Sequence, residues 1–267
     1  MASVFNNLET IKRALEQPRF GLMTDVDGTI SPTAPTPAQA AVSPASRRYL
    51  DRLTPLLSLV AAVSGRAVAD VRRLVDIDGV VYVGNHGLER WAGGRAELAE
   101  GAGDYPAIIK EVTDELGREL QEAGIIIENK GVSASIHYRL SPDPDATGKR
   151  VMAAINASAQ AGRLRIIPGR RAVNLLPPLA IDKGTAVRDL IARYNLSGGV
   201  YIGDETTDID AFKAIHEANR RRDFLGFALA VLSREAPPAV VEEADFTLDG
   251  TDEVARFLEW LWRQVSK

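Results

Sequence analysis

Apolar runs and polar turns alternate along the first third of the chain. Residues 20–23, 56–63 and 79–84 are nearly continuous apolar segments, and helical patterns occupy residues 44–53 and 68–75 between them. Uninterrupted apolar runs are typical of parallel strands that are covered on both faces. The order strand, helix, strand, helix, strand therefore predicts a doubly wound α/β fold with a mostly parallel, Rossmann-like sheet.

The pattern changes over residues 105–178. A helix, two strands, a second helix and two more strands follow one another, and the second strand, residues 133–140, alternates polar and apolar side chains. Such alternation predicts an antiparallel strand with one exposed face. We interpret the segment as an inserted αββαββ domain of the α+β class, and residues 1–104 and 179–267 as the core into which it is inserted.

Composition narrows the classes of function. The 267 residues are 45% hydrophobic and 25% charged with a net charge of -4, and no basic stripe indicates nucleic acid as a partner. The absence of cysteine excludes disulfides, a thiolate nucleophile and a Cys-based zinc site. Because no run reaches the ~18 apolar residues of a membrane span and the N-terminus lacks a secretory pattern, we expect a cytoplasmic protein that does not bind membranes.

Chemically active side chains recur where predicted parallel strands end. In open α/β sheets the carboxyl ends of the strands form the crevice that binds ligands, so these side chains are expected to meet there. They are Asp25, Asp27, Ser64, Lys183, Asp204 and Asp208.

This set is complete for transfer of a phosphoryl group. One carboxylate can attack phosphorus and form an acyl phosphate, and a second, two residues later, can exchange protons with the leaving alkoxide and the attacking water. A hydroxyl and a lysine can hold the phosphoryl oxygens. A carboxylate from a distant strand can complete a Mg²⁺ site that neutralises the charge between nucleophile and phosphate.

The same residues resemble a known family. Residues 25–29 (Asp-Val-Asp-Gly-Thr) look like motif I of the haloacid dehalogenase-like phosphatases, and Ser64, Lys183 and residues 203–208 follow in the order of motifs II, III and IV. The insertion resembles the C2-type cap of that superfamily. More narrowly, residues 84–89, 128–139 and 201–208 resemble segments of the trehalose-6-phosphate phosphatases.

The resemblance implies roles for individual residues. Asp25 would be the nucleophile and a Mg²⁺ ligand, and Asp27 the general acid/base, with its backbone carbonyl on the metal. Ser64 and Lys183 would bind phosphate. Asp204 would be a metal ligand and Asp208 an outer-shell residue that orients Lys183 or metal-bound water. The implied substrate-binding residues are Gly28, Thr29, Gly65, Arg66, Asn85, His86, Gly87, Glu128, Lys130, Ser135, His137, Arg139 and Asn174.

Asn174 departs from the family pattern, which places a glutamate in the last cap strand. Asparagine can still hydrogen-bond sugar hydroxyls, but it lacks the charged acceptor. The predicted reaction is Mg²⁺-dependent hydrolysis of trehalose 6-phosphate through an aspartyl phosphate, with a trehalose-phosphate synthase as the supplier of substrate. A glucosylglycerol-, sucrose- or mannosylglycerate-type phosphate remains an alternative substrate.

Two other functions are disfavoured. Sugar phosphomutases of this superfamily carry their insertion directly after motif I, where residues 31–44 are too short for a domain. A non-catalytic regulatory module is recognised by the loss of the nucleophile, the lysine or the metal carboxylates, and all of these are present here.

Overall fold

A computed structural model of the protein describes residues 2–221, 223–233 and 236–266. The chain forms two compact units, one made of residues 1–97 and 181–267 and the other of residues 98–180. Each unit has its own sheet and its own hydrophobic core.

The strands and helices are numbered in chain order. The strands are β1 Phe20–Thr24, β2 Leu59–Val63, β3 Val81–Gly84, β4 Glu89–Ala92, β5 Arg95–Leu98, β6 Ile126–Asn129, β7 Ala134–His137, β8 Arg165–Gly169, β9 Ala172–Leu176, β10 Gly198–Gly203, β11 Leu225–Leu232 and β12 Phe246–Asp249. The helices are α1 Leu8–Leu15, α2 Pro44–Leu53, α3 Val68–Val75, α4 Pro106–Glu119, α5 Pro144–Ala157, α6 Lys183–Arg193, α7 Asp208–Asn219, α8 Pro238–Glu243 and α9 Gly250–Val265.

Strand β1 lies inside the sheet of the first unit. The strand order in the described residues is β12-β11-β10-β1-β2-β3-β4-β5. All pairs from β12 to β3 are parallel, and β4 is antiparallel to β3. The chain builds outward from β1 through β2 and β3 on one side, and from β10 through β11 and β12 on the other. The strand order therefore reverses between β1 and β10, where open α/β sheets bind ligands.

Both faces of this sheet are covered. Leu22 and Met23 are neighbours in β1, but Leu22 belongs to the hydrophobic cluster that contains Phe257 of α9, and Met23 belongs to the one that contains Phe212 of α7. Successive side chains of a strand point to opposite faces, so a strand between two helical layers has no polar face. This arrangement explains the uninterrupted apolar runs and confirms the predicted doubly wound α/β class.

The second unit is a four-stranded antiparallel sheet with two helices. Its strand order is β6-β7-β9-β8, and every pair is antiparallel. Val112 of α4 and Val151 of α5 share a hydrophobic cluster with Ile136 of β7 and Val173 of β9. The helices thus cover one face of the sheet, and the chain order α4-β6-β7-α5-β8-β9 is the predicted αββαββ.

The hairpin of β4 and β5 extends the first sheet and was not predicted. Strand β5 is exposed along its length and β4 is half-buried, so neither has a strong apolar pattern. The turn does carry a signal, because Gly93 and Gly94 both adopt positive φ, at 56° and 81°. Two consecutive residues with positive φ are typical of a tight hairpin turn between strands.

The strand predicted at residues 133–140 is present and antiparallel, but the exposure predicted for its polar side chains was wrong at Ser133 and Ser135. The strand is shorter, and both Ser133 and Ser135 are buried. Strand β7 lies between β6 and β9, and the Ser135 hydroxyl donates a hydrogen bond to Asn174 Oδ1 at 2.5 Å. A polar side chain with a partner across the sheet can be buried, so alternation did not indicate exposure here.

Strand β2 of the first sheet is also shorter than predicted, because it begins at Leu59 and leaves Leu56 exposed.

Across residues 2–221, 223–233 and 236–266, none of the helices combines the length and the apolar character that crossing a membrane requires.

Candidate active site

Three of the predicted site residues follow strands that end at one edge of the first sheet. Asp25 follows β1, Ser64 follows β2 and Asp204 follows β10. The backbone N–H of Asp25 donates to Ile202 O at 2.8 Å, and that of Ser64 donates to Val83 O at 2.9 Å. Each residue is thus still held by the strand ladder while its side chain stands at the carboxyl edge.

A capping box orients Lys183, the first residue of α6. Asp182 Oδ1 accepts from the Thr185 backbone N–H at 2.7 Å, and the Asp182 backbone N–H donates to Thr185 Oγ1 at 2.9 Å. Reciprocal bonds of this kind fix the first turn of a helix. The direction in which the Lys183 side chain leaves the backbone is therefore set locally.

The Lys183 ammonium is fully buried among carboxylates. Its Nζ donates to Asp25 Oδ1 at 2.7 Å, to Asp208 Oδ1 at 2.8 Å and to Glu205 Oε1 at 3.2 Å, which matches the three donors of an ammonium group. Burial by itself lowers the pKa of Lys183, but Asp208 and Asp25 outweigh it and hold that pKa well above its usual value. Lys183 is therefore positively charged at neutral pH.

Asp208 holds Lys183 from the first residue of α7. Its Oδ2 accepts from the backbone N–H groups of Asp204 and Glu205, both at 2.9 Å, and its Oδ1 accepts from the Tyr201 hydroxyl at 2.7 Å. Burial, and then the charge of Asp208, raise the pKa of Tyr201 well above its usual value, so this hydroxyl stays a neutral donor. Four donors thus fix the carboxylate that faces Lys183.

Three buried carboxylates fit a divalent cation. Oxygens of Asp25, Asp204 and Asp208 all lie within 4.8 Å of one another. Burial raises the pKa of Asp25 well above its usual value; Lys183 opposes the rise, and Asp208 and Glu205 add to it. A cluster with more carboxylates than ammonium groups is costly to bury without further positive charge. Hard oxygen ligands are what a divalent cation prefers, so the donor set suits such an ion.

Two glycines make room for these carboxylates. Gly28 has a φ of +88°, and a β-carbon at this position would lie 2.0 Å from Asp204 Oδ2. A β-carbon at Gly203 would lie 2.3 Å from Asp208 Cγ. Thr29, next to Gly28, donates its hydroxyl to Asp204 Oδ1 at 3.3 Å. The structure therefore places Gly28 and Thr29, which were predicted as substrate-binding residues, against a carboxylate of the cluster.

Asp27 has a different partner from Asp25. Arg66 donates from Nε to Asp27 Oδ2 at 2.6 Å and from Nη2 to Asp27 Oδ1 at 2.8 Å. In the part of the chain that the structure describes, the cluster of three carboxylates does not include Asp27. The two acids of motif I are separated by a single residue in sequence, yet they occupy two separate ion pairs.

The loop after β3 packs against the loop after β2. The His86 backbone N–H donates to Ser64 O at 3.0 Å, and the Asn85 backbone N–H donates to Arg66 O at 2.7 Å. A β-carbon at Gly65 would lie 2.6 Å from the His86 ring. All five of these residues are among the predicted site residues, and they contact one another in the structure.

Glu205 was not predicted as a site residue, although it contacts Lys183. Burial raises its pKa, but Lys183 and then His86 outweigh burial and hold the pKa at about 2. Tyr201 was also missed, because in sequence it is part of an apolar strand. The signal available was chemical, since a buried tyrosine hydroxyl near a strand end needs a hydrogen-bond partner. Glu205 stands in sequence beside Asp204, and nothing in its spacing distinguished it from a solvated acid.

The predicted sugar-binding residues of the second unit share one sheet face. Glu128, Ser135 and Asn174 are direct neighbours across β6, β7 and β9. Glu128 Oε2 lies 3.0 Å from His137 Nε2 and 3.9 Å from Lys130 Nζ. Neighbouring positions along β7 and β9 supply the hydrophobic cluster under the helices. The polar residues therefore occupy the face opposite to the helices.

Two arginines of the second unit lie close to these residues in the sheet. Arg139, a predicted sugar contact, lies just beyond β7, and its Nη2 donates to Arg170 O at 3.3 Å. Arg165 of β8 pairs in register with Leu176, two residues after Asn174, and so lies on the polar face. Arg165 was not predicted, because the short strand that carries it has no polar alternation.

The fold and the site define a class of protein. A haloacid dehalogenase-like hydrolase from Bacteroides thetaiotaomicron has the same fold, with a TM-score of 0.63 and 16% identity over 91% of this chain and 99% of that one. The C-terminal domain of trehalose-6-phosphate phosphatase from C. albicans superposes with a TM-score of 0.79 and 20% identity over 98% of both chains. The chain therefore has the haloacid dehalogenase-like fold.

The particular family follows from sequence. The model of the trehalose-phosphatase family matches residues 23–249, so the chain belongs to that family. A relative named trehalose-phosphate phosphatase from Mycobacterium avium (strain 104) is 32% identical over 253 residues, which cover 91% of this chain. The match spans 62% of that relative's length.

Because the Lys183 ammonium is buried, its removal should strongly reduce the stability of the fold. Replacing Lys183 by Met would leave the buried carboxylates of Asp25 and Asp208 without their shared cation, so we expect the free energy of unfolding to fall by roughly 3–5 kcal/mol. Urea unfolding of metal-free protein measures this change. Lys213→Met, at an exposed lysine of α7, is the control and should change stability by less than about 0.5 kcal/mol. Similar losses in the two variants would contradict the assigned role.

Proposed function

We propose that the protein is a Mg²⁺-dependent phosphatase that hydrolyses trehalose 6-phosphate to trehalose and phosphate. The observation that carries the proposal is the buried arrangement of Asp25, Lys183 and Asp208 beside Asp204. Membership of the trehalose-phosphatase family supports the choice of substrate. So does the name of the mycobacterial relative.

Asp25 is the proposed nucleophile of the first step. Its carboxylate attacks phosphorus, the bond from phosphorus to the sugar oxygen breaks, and the electron pair goes to that oxygen. Asp27 gives the oxygen a proton, so that trehalose leaves as an alcohol. Lys183, which already holds Asp25 Oδ1, and the Ser64 hydroxyl bind the phosphoryl oxygens. Asp208 keeps Lys183 in place during the transfer.

The second step returns the enzyme to its starting state. Asp27, now a carboxylate, takes a proton from water, and the water oxygen attacks the phosphorus of the aspartyl phosphate. The bond between phosphorus and Asp25 breaks, which releases inorganic phosphate and restores the carboxylate. One proton carrier thus serves both steps, and each step leaves it ready for the next.

The carboxylate cluster is the proposed Mg²⁺ site. Asp25, Asp204 and the backbone carbonyl of Asp27 would hold the ion, and Asp208 would act from the outer shell. When bound, the ion neutralises negative charge between the nucleophile and the phosphate. Gly28 and Gly203 support this assignment, because side chains there would collide with the carboxylates.

The second unit is the proposed specificity domain, with residues 105–178 as the cap. Its polar sheet face offers the mixed donors and acceptors that sugar hydroxyls require, from Glu128, Lys130, His137, Arg139 and Asn174. We place the enzyme in the cytoplasm, where a trehalose-phosphate synthase would supply its substrate. A chain without cysteine is in keeping with a reducing compartment.

Replacing the nucleophile tests the mechanism. Asp25→Asn should reduce phosphate release by at least roughly 1,000-fold, because an amide cannot form the acyl phosphate. A colorimetric phosphate assay measures the rate, and circular dichroism confirms that the variant folds. Asp51→Asn, at an exposed acid of α2, is the control and should keep the wild-type rate. An Asp25→Asn protein with near wild-type turnover would rule out this nucleophile.

Metal removal tests the cation site. EDTA should reduce phosphate release to background, and excess Mg²⁺ should restore it. Mg²⁺ should also raise the thermal midpoint of the metal-free protein, because an ion that binds only the folded state stabilises it. Full activity after exhaustive chelation would show that the cluster does not serve as a metal site.

A substrate panel tests the sugar. With Mg²⁺ present, kcat/KM should be at least about tenfold higher for trehalose 6-phosphate than for sucrose, glucosylglycerol, mannosylglycerate-type and glucose phosphates, since each unmatched hydroxyl leaves a buried polar group unpaired. The measurement is initial phosphate release at several concentrations of each compound. A higher kcat/KM for another member of the panel would overturn the assignment of trehalose 6-phosphate as the substrate and leave the assignment of phosphatase activity intact.

A further inference from the structure

Arg66 grips the proposed proton carrier with a two-pronged ion pair. The two bonds, at 2.6 Å and 2.8 Å, run from Nε and Nη2 to the two different oxygens of Asp27. This fork-to-fork geometry restricts rotation of the carboxylate as well as its position, which a single bond would not do. The guanidinium side chain is only 14% exposed, whereas that of Asp27 is 39% exposed.

Arg66 is itself held from several directions. Its backbone N–H donates to Ser64 Oγ at 3.2 Å, and its backbone carbonyl accepts from the Asn85 N–H at 2.7 Å. Its Nη1 donates to the carbonyl oxygen of Pro37 at 3.0 Å. The proline-rich loop after motif I thus returns to brace the arginine. Because the Arg66 guanidinium is fixed in this way, it can fix the position of the more exposed Asp27 carboxylate.

The hydrogen bond that the Pro37 carbonyl accepts also assigns a structural role to the proline-rich loop. Ser31 begins this loop by pairing with Asp27, since the Gly28 N–H donates to Ser31 O at 2.7 Å and residues 27 and 31 form a β-bridge. Asp27 and Arg66 are therefore fixed by the same short segment, one at its beginning and one near its end.

We propose that Arg66 is a positioning residue, which fixes the Asp27 carboxylate for proton transfer rather than binding the substrate itself. The inference rests on the proposed function, in which Asp27 protonates the leaving sugar. Each of the three guanidinium nitrogens donates to a protein acceptor, Nε and Nη2 to Asp27 and Nη1 to the carbonyl oxygen of Pro37. The arginine acts on the reaction only through the acid it orients.

If Arg66 is a positioning residue, the rate loss caused by replacing it should depend on the leaving group of the substrate. A sugar alkoxide needs a proton to leave, whereas 4-nitrophenolate leaves without one. General acid catalysis typically contributes 10²–10⁴-fold, so Arg66→Met should slow phosphoenzyme formation from trehalose 6-phosphate by roughly 10- to 100-fold. With 4-nitrophenyl phosphate the same step should change by less than about threefold. Rapid mixing with excess enzyme, following release of trehalose or nitrophenolate, measures this step directly.

The Asp27→Asn background separates a positioning role from direct substrate binding. Because Arg66 acts through Asp27, adding Arg66→Met to Asp27→Asn should cost less than about twofold for trehalose 6-phosphate. Arg66→Lys keeps the charge and one bond, so it should give an intermediate selectivity between the two substrates. The lysine variant also carries the test if the methionine variant does not fold.

Arg90→Met is the matched control. Arg90 is equally exposed at 14%, and it pairs with Glu97 and Asp189 in the same unit. The Arg90→Met variant should leave the ratio of the rates with trehalose 6-phosphate and 4-nitrophenyl phosphate unchanged. Equal losses on both substrates, no loss on either, or an additive loss in the double variant would overturn the role of Arg66. A wild-type protein that cleaves neither compound would instead overturn the proposed function, and this inference with it.

Discussion

The buried ammonium of Lys183 is the interaction on which the rest of the site depends. It joins the loop after β1 to the first turns of α6 and α7, through Asp25 and Asp208. Charges in a medium of low permittivity attract strongly, but only when the geometry recovers the cost of removing them from water. That requirement explains why the groups around Lys183 are held in fixed positions. A capping box sets its direction, and two backbone N–H groups fix the acid that faces it.

The second constraint is the separation of the two acids of motif I. Asp25 is buried against a lysine, whereas Asp27 is partly exposed and gripped by an arginine. The proposed nucleophile and the proposed proton carrier need different surroundings, because the first must be ionised beside a phosphate and the second must give and take a proton. Asp25 pairs with a lysine at the start of α6 and Asp27 with an arginine after β2, so the two acids of a single loop have different surroundings.

Much of the fold was predictable because burial leaves a direct trace in sequence. The strands that lie between two helical layers appear as apolar runs, and the turns that end them contain the polar residues of the site. The features that could not be predicted belong to elements that bury little apolar surface or that bury polar groups. The hairpin at residues 89–98 had no strong apolar pattern, because β4 is only half-buried and β5 is exposed. Ser135 occupies a polar position in an alternating strand, which predicted exposure, but it is buried. Hydrogen-bond partners across a sheet cannot be counted from one strand alone.

The sequence by itself determined which chemical groups reach the carboxyl edge of the sheet and in what order, because Asp25, Ser64 and Asp204 each follow a strand directly. Lys183 and Asp208 instead begin helices α6 and α7. Only the tertiary structure decided how they pair. Asp25 meets a lysine 158 residues away, and Asp27 meets an arginine 39 residues away. Tyr201 and Glu205 entered the site in the same way, as partners of that network. Ion-pair partners are set by distance in space, and strand order in the sheet, rather than spacing along the chain, sets those distances.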